Sequence, residues 1–235
     1  MKPAYVIPHT GLGDHFIVYG MMLFLAEKRG ASTVLCMGPI EETVRSLYSD
    51  APQVSVECTH YWSKPWILDH AGRMGEKYDV FLPGTLWDWD EFAPLPFDAR
   101  FYAQCGVPLE NKWRRLPKSR SSGEKALFDK LNPGGPYSLV HDDPGRRMGI
   151  ESSRVLQPSI RITQQTGNML DWRLLAERAT EIHCIDSSFL SFVELLSIDG
   201  LEAKKYFHIY ARRGQSAPTY TVPTLLSDWN MVGKP

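Results

Sequence analysis

The chain has little that would send it to a membrane, a nucleic acid or an oxidising compartment. Its 26 Lys and Arg are balanced by 27 Asp and Glu, for a formal net charge of −1, so no global field draws it to polyanions. The longest apolar stretch, Phe16 to Ala26, is too short to span a bilayer. Met1-Lys-Pro leads at once into a strand-like run, and no secretory leader is expected. The four cysteines (Cys36, Cys58, Cys105, Cys184) include no C-x-x-C pair; they read as free thiols of a reducing compartment, the cytoplasm. There is no internal repeat and no low-complexity segment. With 43% hydrophobic and 23% charged residues in 235, the composition is globular and allows one large domain or two of about 110 residues each.

The most informative segment is Ala4-Tyr-Val-Ile-Pro-His-Thr-Gly-Leu-Gly-Asp-His-Phe16, running into an apolar stretch that ends at Gly30. It reads as a strand, a glycine turn and a helix apolar nearly all round, hence buried. In an open α/β sheet such a turn lies where ligands bind, with backbone N–H groups exposed at the helix entrance. A dinucleotide fingerprint does not fit. Gly11 and Gly13 fill two glycine positions, but Phe16 takes the third, and the next strand, Thr33–Met37, ends in Gly38-Pro39 rather than an acid. Asp14 would repel a pyrophosphate on this turn; an acid there suits proton abstraction. His15 and His9 are the reserve bases.

Strand and helix patterns alternate along the chain. Strands are expected at 33–37, 54–58, 78–82, 137–141, 159–163, 181–185 and 205–210, the last closing the series. Helices are expected at 40–48, 98–105, 124–131, 169–179 and from Asp186 through Leu196. Residues 60–70 and 84–92 read as aromatic, polar loops whose Trp62, Trp66, Trp87 and Trp89 could stack on sugars or on flipped bases. The basic stretch 111–123 reads as an interdomain linker, alternatively as a phosphate-backbone track. Alternation of this kind implies parallel sheets, so the expected fold is α/β, with two small Rossmann-like domains, 1–120 and 121–235, facing a cleft.

The second half adds two anion-binding features. Ile182-His-Cys-Ile-Asp186-Ser-Ser-Phe189 is a strand–turn–helix whose first N–H groups, with Ser187 and Ser188, form an anion site; the plainer reading is an N-cap. Tyr137-Ser-Leu-Val-His-Asp-Asp-Pro-Gly-Arg-Arg147 delivers Arg146 and Arg147, whose guanidinium groups suit diphosphate oxygens. His141-Asp-Asp has no second ligand cluster, and no metal is expected.

Together these motifs resemble glycosyltransferases of the GT-B architecture. Gly11-Leu-Gly-Asp14 is similar to the entry motif of the ADP-heptose heptosyltransferases, and Asp186-Ser-Ser-Phe189 to their Asp-Ser/Thr-Gly phosphate motif. Ser188 stands at that motif's glycine and Ser191-Phe192 where a histidine follows, so nucleotide and sugar stay open. The resemblance implies sugar transfer from a nucleotide-diphosphate sugar to an acceptor hydroxyl, with no cofactor. Asp14 would be the base and His15 its reserve. Gly11, Gly13, His141, Arg146, Arg147, Asp186, Ser187, Ser188 and Phe189 would hold the donor. Trp62, Trp66, Trp87 and Trp89 would hold the acceptor, a glycan or a modified DNA base. The alternatives are a nucleotide-sugar epimerase of the same fold and a non-catalytic nucleotide- or sugar-binding module.

Overall fold

The computed structural model describes residues 1–9, 11–84, 95–163, 165–211 and 222–233; Trp87 and Trp89 lie outside them. The chain forms two compact units, one of Met1–Ser119 with Thr221–Thr224, the other of Arg120–Tyr220 with Leu225–Pro235.

The N-terminal unit runs β1 (Ala4–Val6), α1 (Leu12–Arg29), β2 (Ser32–Met37), α2 (Glu41–Leu47), β3 (Val54–Thr59), α3 (Lys64–Met74), β4 (Asp79–Phe81) and α4 (Phe97–Gln104). Its four strands are parallel in the order β3-β2-β1-β4. The C-terminal unit runs α5 (Glu124–Leu131), β5 (Ser138–His141), β6 (Ser159–Arg161), α6 (Arg173–Arg178), β7 (Glu181–Cys184), α7 (Ser188–Ser197), β8 (Lys204–His208) and β9 (Asn230–Val232). Its five strands are parallel in the order β6-β5-β7-β8-β9. Both sheets therefore have the Rossmann-like parallel character that the alternating pattern implies.

Helix α1 is the core of the first unit. Phe16, Val18, Tyr19, Met21 and Met22 are all buried, and the helix stops at Gly30, whose φ of +83° suits a residue without Cβ and whose N–H bonds Ala26 O at 2.8 Å. Tyr102 of α4 donates its hydroxyl to Ile17 O at 2.9 Å and accepts Met21 N–H at 3.2 Å. Gly20 lies flat against the turn at 109–112: a Cβ there would stand 1.9 Å from Asn111 O.

Two expectations need correction. Residues 60–70 are not a loop: α3 begins within them because Ser63 Oγ accepts the Trp66 N–H and Pro65 suits a first helical turn. Ile67, Ala71 and Met74 then recur at helical spacing against Tyr5, Ile7 and Leu35. The aromatic residues had masked that period. The strand series does not close at residue 210, because β9 pairs with β8 in parallel register, Tyr206 with Asn230. The boundary between the two units falls within 111–123, the stretch read as an interdomain linker, and that stretch is pinned along its length. Asp50 accepts the N–H groups of Lys118 and Ser119 at 2.6 and 3.1 Å, Leu116 is buried, and Ser121 and Asn168 join Asp171 in a hydrogen-bonded cluster.

Two buried carboxylates hold the last segment. Asp98 pairs with Lys112 and accepts the Thr224 N–H at 3.0 Å, while Lys112 Nζ also bonds Thr224 O at 2.7 Å. Glu194 of α7 accepts Leu226 N–H and Trp229 Nε1–H, each at 2.6 Å, and the Ser227 hydroxyl.

Gly20→Ala separates propensity from packing. Alanine in a helix interior normally stabilises by about 0.5–1 kcal/mol, whereas the backbone at Asn111 cannot yield as a flexible side chain would. The expected outcome is destabilisation by about 1–3 kcal/mol, read as a lower urea midpoint with an unchanged slope. A midpoint equal to or above wild type would show that the 109–112 turn moves freely.

Candidate active site

Each sheet reverses its strand order once. In the first, the chain steps from β1 outward to β2 and β3, then returns to the other side of β1 as β4. In the second it steps from β5 to β6, then returns to the other side of β5 as β7. Connections leaving adjacent strands in opposite directions open a crevice at the carboxyl edge, the usual ligand position in open α/β sheets. The candidate residues of the two units follow β1 and follow β5 and β7.

After β1, Ile7 continues the sheet through its N–H to Phe81 O at 2.9 Å, and Pro8 and His9 lead to Gly11, the N-cap of α1. Asp14, at the third position of the helix, returns Oδ2 to the Gly11 N–H at 2.9 Å. Gly11 has ordinary extended backbone, and a Cβ there would stand 2.9 Å from that same carboxylate oxygen, which could shift to admit it. Gly13 falls in the first turn. His9 Nδ1 lies 3.4 Å from Asp14 Oδ2, with side chains 36% and 10% exposed respectively. Asp14 raises the basicity of His9 above the usual histidine value. His15 is 1% exposed, burial pushes its pKa down to about 4, and its Nδ1 has no hydrogen-bond partner. A proton acceptor must meet solvent or substrate. Of the two neighbouring histidines, His9 meets this condition.

In the second unit, His141 ends β5 and pairs in register with Cys184 at the end of β7. Its Nδ1 is 3.0 Å from Ser187 Oγ, and its ring stacks on Phe189 with centroids 5.4 Å apart and planes at 15°. Burial pushes its pKa down to about 4, so the imidazole is neutral. Ser187 caps α7 by accepting the Leu190 N–H at 3.5 Å. Asp186, Ser187 and Ser188 remain half-buried at the helix entrance. Phe189 is fully buried, and its side chain supports the His141 ring.

The turn after β5 is tightly made. Asp143 and Met148 exchange backbone hydrogen bonds of 3.0 and 2.9 Å, and Asp143 Oδ1 accepts the Arg146 N–H at 3.2 Å. Asp142 pairs with Arg161 and accepts the Ile150 N–H at 2.9 Å. Arg146 and Arg147 are exposed at the tip, Arg146 Nε lying 3.3 Å from Asp143 Oδ2. Arg147 has φ +60°, a left-handed conformation that costs a side-chain-bearing residue about 1–2 kcal/mol. Met148, Ile150 and Val155 anchor the loop on Val140 and Ile185.

Of the aromatic candidates, Trp62 and Trp66 are among the described residues. Trp62 and Trp66 are half-buried against the Tyr5–Ile7–Leu35–Ile67 cluster, and Trp66 stacks on His70 at 4.8 Å. His70 Nε2 is in turn 2.9 Å from the Tyr5 hydroxyl. The basic stretch is occupied as well: Lys112 pairs with Asp98, Arg114 with Glu27, and Arg120 with Glu124 and Glu177.

Sequence reasoning missed a polar chain across β7 and β8. His208 Nε2 is 2.9 Å from His183 Nδ1, His183 Nε2 is 3.2 Å from Glu181, and the Tyr210 hydroxyl is 3.1 Å from His208 Nδ1. One set of tautomers satisfies it: Tyr210 O–H donates to His208, His208 to His183, and His183 to Glu181. The period-2 placement of Tyr206, His208 and Tyr210 was its only trace in the sequence.

Among the described residues, no group of three or more His, Cys, Asp or Glu side chains could hold a metal ion, and no helix is long and apolar enough to cross a membrane.

Two parallel-sheet Rossmann-like units, each with its candidate residues at the strand-order reversal, constitute the fold of GT-B glycosyltransferases. Three solved structures are similar. The glycosyl transferase family 9 protein from Veillonella parvula DSM 2008 matches with a TM-score of 0.58 at 12% identity, covering 99% of this chain and 86% of that one. The E. coli ADP-heptose LPS heptosyltransferase II matches at 0.57 and 12%, covering 99% and 90%. The dodecameric iron-containing heptosyltransferase TibC, solved with ADP-D-β-D-heptose, matches at 0.56 and 14%, covering 95% and 61%. At these identities the likeness is one of fold. No protein-family model and no curated protein sequence matches the chain.

The buried histidines make stability depend on pH. His15, His141 and His208 have folded pKa values near 4, burial being the largest cause in each, and His183 is lowered too. Between pH 6.5 and 4 the unfolded chain binds protons that the folded one refuses, so stability falls with acidification through that window. Each site contributes at most about 1.4 kcal/mol per pH unit. His9, whose pKa is raised, contributes with the opposite sign. Urea midpoints measured from pH 7.5 to 4.5 should decline, and His141→Asn should remove about one proton from the slope. An unchanged slope in that variant would mean that His141 titrates normally in the fold.

Proposed function

We propose that the chain is a glycosyltransferase that moves a sugar from a nucleoside-diphosphate sugar to an acceptor hydroxyl. The observation that carries this reading is the pairing of opposite chemistries at the two strand-order reversals. After β1 stands an acid–base group centred on Asp14. After β5 and β7 stand a helix entrance and two exposed arginines. Two of the similar structures are heptosyltransferases, one solved with ADP-D-β-D-heptose, which agrees with it.

In this reading the C-terminal unit is the donor side. Arg146 and Arg147 and the α7 entrance at Ser187 and Ser188 hold the diphosphate, and Asp186 and the neutral His141 shape the turn around it. The negative charge that builds on the departing diphosphate is met by the protein's own cations and N–H dipoles, without cofactor or metal. The N-terminal unit is the acceptor side. The acceptor hydroxyl gives up its proton at the Asp14 centre, its oxygen bonds to the anomeric carbon, and the bond from that carbon to the diphosphate oxygen breaks, its electrons leaving with the diphosphate. The ion-paired state of Lys112, Arg114 and Arg120 favours a glycan or small-molecule acceptor over a nucleic acid backbone. The free cysteines fit a cytoplasmic protein.

The test begins with thermal shifts in UDP, GDP, ADP, CMP and dTDP. A nucleotide near 100 times its Kd stabilises by about 2.7 kcal/mol. Product formation from the matching sugar nucleotide then separates transfer from epimerisation or mere binding. Arg146→Ala and Arg147→Ala should each weaken the donor by roughly 10- to 100-fold, the worth of a charge-assisted hydrogen bond. Asp14→Asn should lower kcat by about 10²–10⁴ with donor Kd unchanged. Turnover within a few-fold of wild type, or collapse of donor binding, would remove Asp14 from the acid–base role.

A further inference from the structure

We propose that Cys36 and Cys58 form a reversible dithiol–disulfide site, oxidised by exchange with a small-molecule disulfide such as glutathione disulfide. The site stands apart from the transferase reading. Cys36 is the fifth residue of β2 and Cys58 the fifth of β3, and the parallel register pairs them directly. Paired residues on adjacent strands lie about 4.7–4.9 Å apart with their side chains on one face, inside the Cα separation of about 4.4–6.8 Å that disulfides span. The two thiols are within hydrogen-bonding reach of each other. Cys36 is fully buried and Cys58 half-buried, so a reagent from solution meets Cys58 first. Both are free thiols, and their distance in sequence hides a pair that only the register assembles.

The exchange balances in two steps. The Cys58 thiolate attacks one sulfur of the small disulfide, making a mixed disulfide and releasing one small thiolate. The Cys36 thiolate then attacks Cys58 Sγ, forming the Cys36–Cys58 bond and releasing the second. Two electrons pass from the protein to the small disulfide, and the two protons lost by the cysteines go to the released thiolates. The order follows from the electrostatics. Burial pushes Cys36 up to about 12, and the charge of a Cys58 thiolate adds to this. Burial and the Glu41 carboxylate raise Cys58 too, whereas a hydrogen bond from Cys36 favours its thiolate. Once Cys58 is in the mixed disulfide, its charge no longer opposes ionisation of Cys36. With few thiolates at neutral pH the exchange is slow, so the pair registers the standing thiol–disulfide ratio rather than a brief pulse of oxidant. Oxidised, it fastens β3, the edge of the first sheet, to β2.

The test equilibrates the full-length protein in glutathione buffers from fully reduced to fully oxidised, followed by quenching, alkylation under denaturing conditions and peptide mass mapping. The expected product is one internal disulfide joining the Cys36 and Cys58 peptides, reversed by excess reduced glutathione, with Cys105 and Cys184 still alkylated. Cys36→Ala should stop at a glutathione adduct on Cys58, and Cys58→Ser should leave Cys36 unmodified. The wild-type peptide map decides the pairing even if a variant folds poorly. Closing a loop of about 20 residues should raise the thermal midpoint of the oxidised protein by about 5–10 °C. A midpoint that is unchanged or lower would show that the strands must distort to be joined, and overturns a site built into the register. Free thiols in the most oxidising buffer, a disulfide through Cys105 or Cys184, or a folded Cys36→Ala protein without the adduct each overturns the proposal.

Discussion

Parallel strands point all their carboxyl ends one way, and an order that reverses once leaves one crevice per sheet; the rest of this molecule depends on that constraint. In the first sheet the reversal at β1 puts the turn at residues 7–14 beside β4, and in the second the reversal at β5 puts the turns after β5 and β7 side by side. Neighbouring turns need no long-range code to meet. His141 and Ser187 are distant in sequence, yet the register pairing of His141 with Cys184 brings Ser187 Oγ within 3.0 Å of the imidazole.

Burial then sorts the ionisable groups into supports and reagents. Asp98 and Glu194 are inside the fold, and each is satisfied by several donors from the last segment: Thr224 on one, Leu226, Ser227 and Trp229 on the other. Removing one partner of such a group leaves an uncompensated charge, so these acids fix the chain's course and are unfit for proton transfer. His141, His183 and His208 are kept neutral and hydrogen-bonded, which makes them geometric supports. His9 differs by combining contact with the buried Asp14 and partial exposure.

The sequence revealed the parts whose periodicity is local. The glycine turn before α1, the N-cap at Ser187 and both alternations of strand and helix follow from residue type over short windows, and they appear where the pattern implies them. Helix α3 was hidden because Trp62, Trp66 and His70 look like loop chemistry; its period lies in Ile67, Ala71 and Met74, and only packing against β1 gives those positions meaning. Strand β9 was hidden because three residues carry no period, and its pairing depends on β8. At the candidate site, the residue types were legible, but their exposure was not. Phe189 and His15 look like site residues in a string of letters, and the fold buries both.

The second crevice shows why acids beside an anion site need not defeat it. Asp142 and Asp143 immediately precede Arg146 and Arg147, and as free carboxylates they would cancel the charge a diphosphate needs. Asp142 is instead spent on Arg161 and the Ile150 N–H, and one Asp143 oxygen caps the turn. Arg146 retains an exposed guanidinium that can exchange its 3.3 Å contact with Asp143 for phosphate oxygens. Arg147 is held left-handed at the end of the same turn, and backbone strain of this kind persists only where the surroundings over-determine it. Here they do: the paired Asp143–Met148 hydrogen bonds and the anchoring of Met148, Ile150 and Val155 fix the turn on both sides. The acids after β5 therefore shape the loop that presents the arginines.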